Sequence, residues 1–119
     1  MSNHITLIDK KQNKKMGFFA NLKKAIGGGA APDFKQMLDE GAIVVDVRTP
    51  GEFKGGHVKG SVNINLSDLS KKMGSLKGKT VITVCASGMR SGQAKGILTQ
   101  NGITAVNGGP WGRIAKYKN

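Results

Sequence analysis

From residue 31 onward, short apolar runs alternate with segments whose apolar residues recur at helical spacing. Ala42-Ile43-Val44-Val45-Asp46-Val47 and Thr80-Val81-Ile82-Thr83-Val84 are nearly continuous and rich in β-branched residues, the pattern of strands buried on both faces. Val62-Asn63-Ile64-Asn65 alternates apolar with polar and predicts a third strand, and Ile103-Thr104-Ala105-Val106 a short fourth. Between these runs lie the helices. Pro32 followed by Asp33-Phe34-Lys35-Gln36-Met37-Leu38 predicts a helix ending near Gly41. Pro50 opens a helical turn through Phe53, broken by Gly55-Gly56, and Ser67 is placed to cap a helix running to about Leu76. A further helix over 88–100 stops at Asn101-Gly102, and Gly108-Gly109-Pro110 leads into a last one containing Trp111. Strands that alternate with helices predict an α/β fold with a mainly parallel sheet and helices on both faces.

The first 29 residues differ from the rest. Met1 to Lys15 is polar and without period. Phe18, Phe19, Leu22 and Ile26 then share one helical face beside Lys23 and Lys24, before Gly27-Gly28-Gly29. The simplest reading is a terminal helix packed on the edge of the domain, or a frayed end. An interfacial helix touching an anionic membrane or a partner is the less favoured alternative. The triple glycine reads as a flexible joint, dividing the chain into a basic leader, 1–29, and a domain, 30–119. The apolar run is short and interrupted by lysines, which makes a poor signal peptide and a cytoplasmic protein the expectation. Met16 is a candidate natural start.

At 119 residues the chain holds one ordinary core. Its formal charge is +12, from 19 basic and 7 acidic residues. Six lysines and one aspartate put +5 in residues 1–29, which leaves +7 for the rest. An excess spread along the whole chain draws anions in general. It lacks the interleaved aromatics of a nucleic-acid surface, so no nucleic-acid partner is expected. The two histidines, His4 and His57, and one cysteine are too few for a metal site of several such ligands, and no cofactor is expected.

That single cysteine, Cys85, directly follows the strand 80–84 and opens the run Ala86-Ser87-Gly88-Met89-Arg90-Ser91 before a helix. In α/β sheets ligands bind beyond the carboxyl ends of the strands. A loop feeding a helix N-terminus offers free backbone N–H groups, and curled around a sulfur it favours the thiolate. Arg90 adds a permanent positive charge at the end of the loop. A buried cysteine is more often a small apolar filler, but this position favours a reactive one.

The residues Asp46-Val47-Arg48-Thr49-Pro50-Gly51-Glu52-Phe53 with Gly56-His57-Val58-Lys59-Gly60-Ser61-Val62-Asn63-Ile64 resemble the first signature of the single-domain rhodaneses. Cys85 to Ser91 resembles their active-site loop, and Asn107-Gly108-Gly109 with Trp111 the segment near their C-terminus. The resemblance runs from about Ala31 to Lys116. It implies a three-layer fold around a five-stranded, mainly parallel sheet, and sulfur transfer through a cysteine persulfide. Related cell-cycle dual-specificity phosphatases have an active-site loop one residue longer. Here the arginine is Arg90, and Ser91 stands where that longer pattern would put it. A six-residue ring of amides suits a terminal sulfur better than a phosphate.

The expected reaction is attack by Cys85 on a small anionic sulfur donor such as thiosulfate. An outside acceptor then removes the sulfur: cyanide, a thiol or a persulfide-carrying protein. The chain has no second thiol to resolve the persulfide as a disulfide. Ala86, Ser87, Gly88, Met89 and Arg90 form the loop, with Ser87 and Met89 at its entrance. By the resemblance, Asp46, Arg48 and Glu52 brace it through ion pairs. His57 is expected to fix a turn rather than act as a base, Arg90 to brace the loop, and Trp111 to pack at the rim. A non-catalytic interaction module and a phosphatase or arsenate reductase are the competing readings.

Overall fold

In the computed structural model residues 32–118 are described. The leader helix through Phe18, Phe19, Leu22 and Ile26, the joint at Gly27-Gly28-Gly29 and His4 lie outside the described residues. The chain from Phe34 onward makes one compact unit. Its elements are α1 (Phe34–Asp39), β1 (Ile43–Asp46), α2 (Pro50–Lys54), β2 (Val62–Asn63), α3 (Leu69–Lys72), β3 (Thr80–Cys85), α4 (Met89–Gln100), β4 (Thr104–Pro110) and α5 (Trp111–Ala115). None of the described helices is long and apolar enough to cross a membrane.

The four strands run parallel in the order β2-β1-β3-β4. The chain leaves β1 toward one edge and β3 toward the other. The crevice between the carboxyl ends of β1 and β3 is therefore the switch point of the sheet, where an open parallel sheet places its ligand site. Asp46 pairs with Val84 there, which puts Cys85 one residue beyond the last β1 pair.

Alternation along the strands splits the core into two faces. Val45, Val47, Val81, Cys85 and Ala105 cluster with Ala94 and Leu98 of α4 and with Leu69 and Leu76. Val44, Ile82, Val84 and Val106 are buried too and point to the opposite face, where α5 packs against β3 and β4 through the fully buried Ile114. Ser91, Ala94 and Leu98 form the buried stripe of α4 at the spacing a helix requires.

The expected parallel α/β architecture is present, with differences of detail. The described residues form four strands, where the family resemblance implied five. The sequence pattern itself marks only four β-rich runs, and all other described segments are helical, polar or glycine-rich. The helix expected over 67–76 is three short pieces: a 3-10 turn at Leu66–Asp68, α3, and a second 3-10 turn at Met73–Leu76. Ser67 does not cap; the turn begins at Asn65, which makes no side-chain capping bond. Burying Leu69 and Leu76 together wins over a regular helix, and Gly74 between them favours the break.

β4 also runs past Val106 to Pro110. Asn107 pairs with Thr83 and Gly109 with Val84, so Gly108 is the extra residue of a β-bulge. A Cβ at Gly108 would lie 2.7 Å from Ile82 Cγ2 and 2.9 Å from the Thr83 carbonyl oxygen. Glycine here permits a close backbone approach and lets the ladder continue, rather than ending the strand.

Candidate active site

β3 ends in Cys85 and α4 begins four residues later, so the chain must reverse within Ala86-Ser87-Gly88. Gly88 makes this possible with φ of 105°, a left-handed conformation that a side chain would strain. The curl brings backbone N–H groups onto the sulfur: Gly88 N lies 2.9 Å from Cys85 Sγ and Ser91 N 3.3 Å from it. The Ser91 hydroxyl is 3.4 Å from Sγ. The first intrahelical bond of α4 runs from Gly92 N to Gly88 O. The amides of Met89 and Arg90 therefore come before the helix can satisfy its own N–H groups, and they stay available at the helix N-terminus.

Burial pushes the Cys85 thiol up, and a Ser91 hydroxyl turned to donate to the thiolate, with the N–H groups of Ser91, Gly88 and Ser87, more than offsets it. The net result is a thiol below its ordinary value of 9.0. Cys85 is fully buried, while Ala86, Ser87 and Met89 on the outside of the curl are exposed.

Arg90 does not point a free charge at the sulfur. Its guanidinium grips Glu52 with both arms, Nη1 to Oε1 at 2.8 Å and Nη2 to Oε2 at 3.0 Å. Glu52 is itself held in the capping box that starts α2. Its carboxylate accepts from the Thr49 N–H at 3.0 Å, and its own N–H donates to the Thr49 hydroxyl. Arg90, then the Thr49 N–H, draw the Glu52 carboxyl down to about 2. The pair ties the cysteine loop to α2.

A second, buried pair lies at the end of β1. Arg48 Nε and Nη2 reach the Asp46 carboxylate at 2.9 and 2.7 Å, and the Arg48 N–H also donates to it, at 3.0 Å. Arg48 Nη2 donates further to the Gly56 carbonyl at 2.7 Å, and its guanidinium stacks 5.1 Å from the Trp111 ring centroid. Trp111 closes over Gly56, where a Cβ would come within 3.2 Å of the indole. The side chain of Asn63 bonds the carbonyls of Asp46 and Arg48 and fastens the strand end.

His57 is exposed. Its Nδ1 donates to the Phe53 carbonyl at 2.7 Å, and the two rings stack at 3.7 Å. It is not among the hydrogen-bond partners of Cys85. The structure thus brings Cys85, Ser87, Gly88, Arg90 and Glu52 together, with Asp46, Arg48 and Trp111 in an adjoining layer and His57 on the outer turn.

Two residues without an assigned role in the sequence hold the center of the site. Ser91 is fully buried. Its carbonyl accepts from Thr83 Oγ1 at 2.8 Å, and its hydroxyl donates to Asn107 Oδ1 at 2.6 Å. Asn107 in turn donates from Nδ2 to the Gly88 carbonyl at 3.1 Å. Their signal was present: a small polar residue one turn into the helix after the cysteine, and an asparagine directly before the Gly-Gly pair.

A model of the Rhodanese-like domain family matches residues 30–109. The chain belongs to that family. It is 40% identical over 83 residues to the uncharacterized protein YqhL of Bacillus subtilis, covering 65% of this chain and 66% of that one. It is 38% identical over 65 residues to the thiosulfate sulfurtransferase PspE of Escherichia coli, covering 52% of this chain and 62% of that one. The chain thus spans less than two thirds of the length of these relatives. Among solved structures, a rhodanese-related protein of Thermoplasma volcanium aligns with a TM-score of 0.54 and 31% identity, over 75% of this chain and 77% of that one. The relatives of this domain thus include a sulfurtransferase.

Proposed function

We propose that the protein is a sulfurtransferase that carries sulfane sulfur on Cys85, taking it from a small anionic donor such as thiosulfate and passing it to an outside thiophile. The observation that carries this reading is the position of Sγ, gripped by the Gly88 and Ser91 amides at the start of α4. In the first step the Cys85 thiolate attacks the outer sulfur of thiosulfate. A new S–S bond forms, the S–S bond of the donor breaks, and sulfite leaves with its electron pair. The persulfide then bears the negative charge on its outer sulfur, where the Met89 and Arg90 amides of the six-residue loop are available to it. In the second step cyanide attacks that sulfur to give thiocyanate, or a thiolate attacks it to give a new persulfide, and Cys85 returns as thiolate. Glu52, Arg90, Asp46 and Arg48 hold the loop in shape, and Trp111 packs over the buried pair. The similarity to PspE supports thiosulfate as the donor.

The test is mass spectrometry of the protein after thiosulfate treatment, together with thiocyanate production. Cys85 should gain the mass of one sulfur atom and lose it on adding cyanide, and Cys85→Ser should do neither. Full turnover by Cys85→Ser would refute the proposal. Hydrolysis of an aryl phosphate without persulfide formation would assign the loop to phosphate chemistry instead.

A further inference from the structure

Ser91 has one hydroxyl proton and two neighbours that can use it. In the structure the proton goes to Asn107 Oδ1, 2.6 Å away. The amide of Asn107 is fixed in that orientation from two sides. Oδ1 also accepts from the Gly109 N–H at 2.8 Å, and Nδ2 donates to the Gly88 carbonyl. A flipped amide would set donor against donor and acceptor against acceptor. With the Ser91 proton committed to Asn107, the 3.4 Å contact between Sγ and the Ser91 oxygen has Cys85 as donor. The result is a one-way chain, thiol to hydroxyl to amide oxygen, that satisfies the uncharged thiol. A thiolate has no proton to give. Ser91 serves it only by turning its own proton away from Asn107.

We propose that Asn107 is a positioning residue that competes with the Cys85 sulfur for the Ser91 proton, so that a rotation of one hydroxyl accompanies each ionisation of Cys85. The thiol proton leaves to solvent, the Ser91 proton swings from Oδ1 to Sγ, and no other bond changes. The role rests on the reading of Cys85 as a nucleophile, but it is testable without any sulfur transfer. The charged groups around the loop are Arg90 with its partner Glu52, the Asp46–Arg48 pair at the end of β1, and Arg113 of α5, whose Nη1 stands 3.0 Å from the position a Cβ would take on Gly109. All of them are common to the variants below, so their influence cancels in the comparison.

The test is the rate of Cys85 alkylation by iodoacetamide as a function of pH, on the full chain. Asn107→Val removes the competing acceptor, and the midpoint of the profile should fall by roughly one pH unit, the value of one hydrogen bond to a charged sulfur. Asn107→Asp strengthens the acceptor and adds a negative charge, and its midpoint should rise. In a Ser91→Ala background the fall caused by Asn107→Val should vanish and the rise caused by Asn107→Asp should shrink. A midpoint that stays or rises in Asn107→Val would overturn the proposal and leave Asn107 as a tie for the Gly88 carbonyl. Should Asn107→Val not fold, an Asn107→Asp shift of equal size with and without Ser91 would overturn it just as directly. Failure of the sulfur-transfer reading would show separately, as normal alkylation without persulfide formation.

Discussion

Arg48→Met removes the cation from the buried pair while keeping an unbranched side chain beside Trp111. Asp46 is fully buried and Arg48 5% exposed. The substitution leaves the Asp46 carboxylate with its bond from the residue 48 N–H alone. Stranding one member of a buried pair costs about 3–5 kcal/mol, because the remaining charge has lost its water and its partner. Losing the guanidinium over Trp111 adds roughly 0.5–1 kcal/mol. A domain of this size has only about 5–15 kcal/mol of stability in total. The melting midpoint should therefore fall by about 20–30 °C. The assay is thermal and urea unfolding followed by far-ultraviolet circular dichroism, which avoids reading the signal from Trp111 itself. Asp46→Asn/Arg48→Met should recover part of the loss, since no charge is then stranded. A single variant within about 1 kcal/mol of the wild type, the value of an exposed pair, would refute the reasoning, as would a double variant no more stable than the single.

Gly108→Ala should destabilise the protein by about 1–3 kcal/mol in urea unfolding, since its Cβ enters the space of Ile82 and the Thr83 carbonyl. Glu52 titrates at about 2 in the folded protein against 4.5 ordinarily, so its contribution to stability is present above pH 4.5 and is lost as pH falls toward 2. Glu52→Gln should accordingly flatten the fall in melting temperature over that acid range. The Cys85 thiol lies below 9.0, so sulfur transfer and alkylation should persist at pH values where an ordinary thiol is protonated, and both should decline together as pH drops through the lowered value. Profiles that track free cysteine would contradict that prediction.

The strands were legible because β-branched runs such as 42–47 and 80–84 have few other uses in a chain of this length. The cysteine loop was legible because a cysteine at the end of a buried strand, followed by glycine and a helix, is a local pattern. The bulge at Gly108 was hidden, since Gly-Gly-Pro marks a turn as readily as a strand that another backbone approaches closely. The division of the 66–76 segment was hidden too, because it follows from where Leu69 and Leu76 find room in the core. Ser91 and Asn107 stand 16 residues apart, and their bond exists only because β4 pairs with β3 in this register.

The sequence by itself determined the parallel α/β class, the placement of Cys85 at the carboxyl end of a strand, and the six-residue length of the loop from Cys85 to Arg90 inclusive. These are matters of periodicity and of neighbours along the chain. Only the tertiary structure decided what each charge does. Arg90 and Arg48 read alike in sequence, yet one closes a half-exposed brace on Glu52 and the other a buried one on Asp46. Only the fold, likewise, delivers Asn107 to the hydroxyl beside the sulfur. Hydrogen bonds form between atoms within about 3 Å of each other, and for residues far apart in the chain that distance is set by packing.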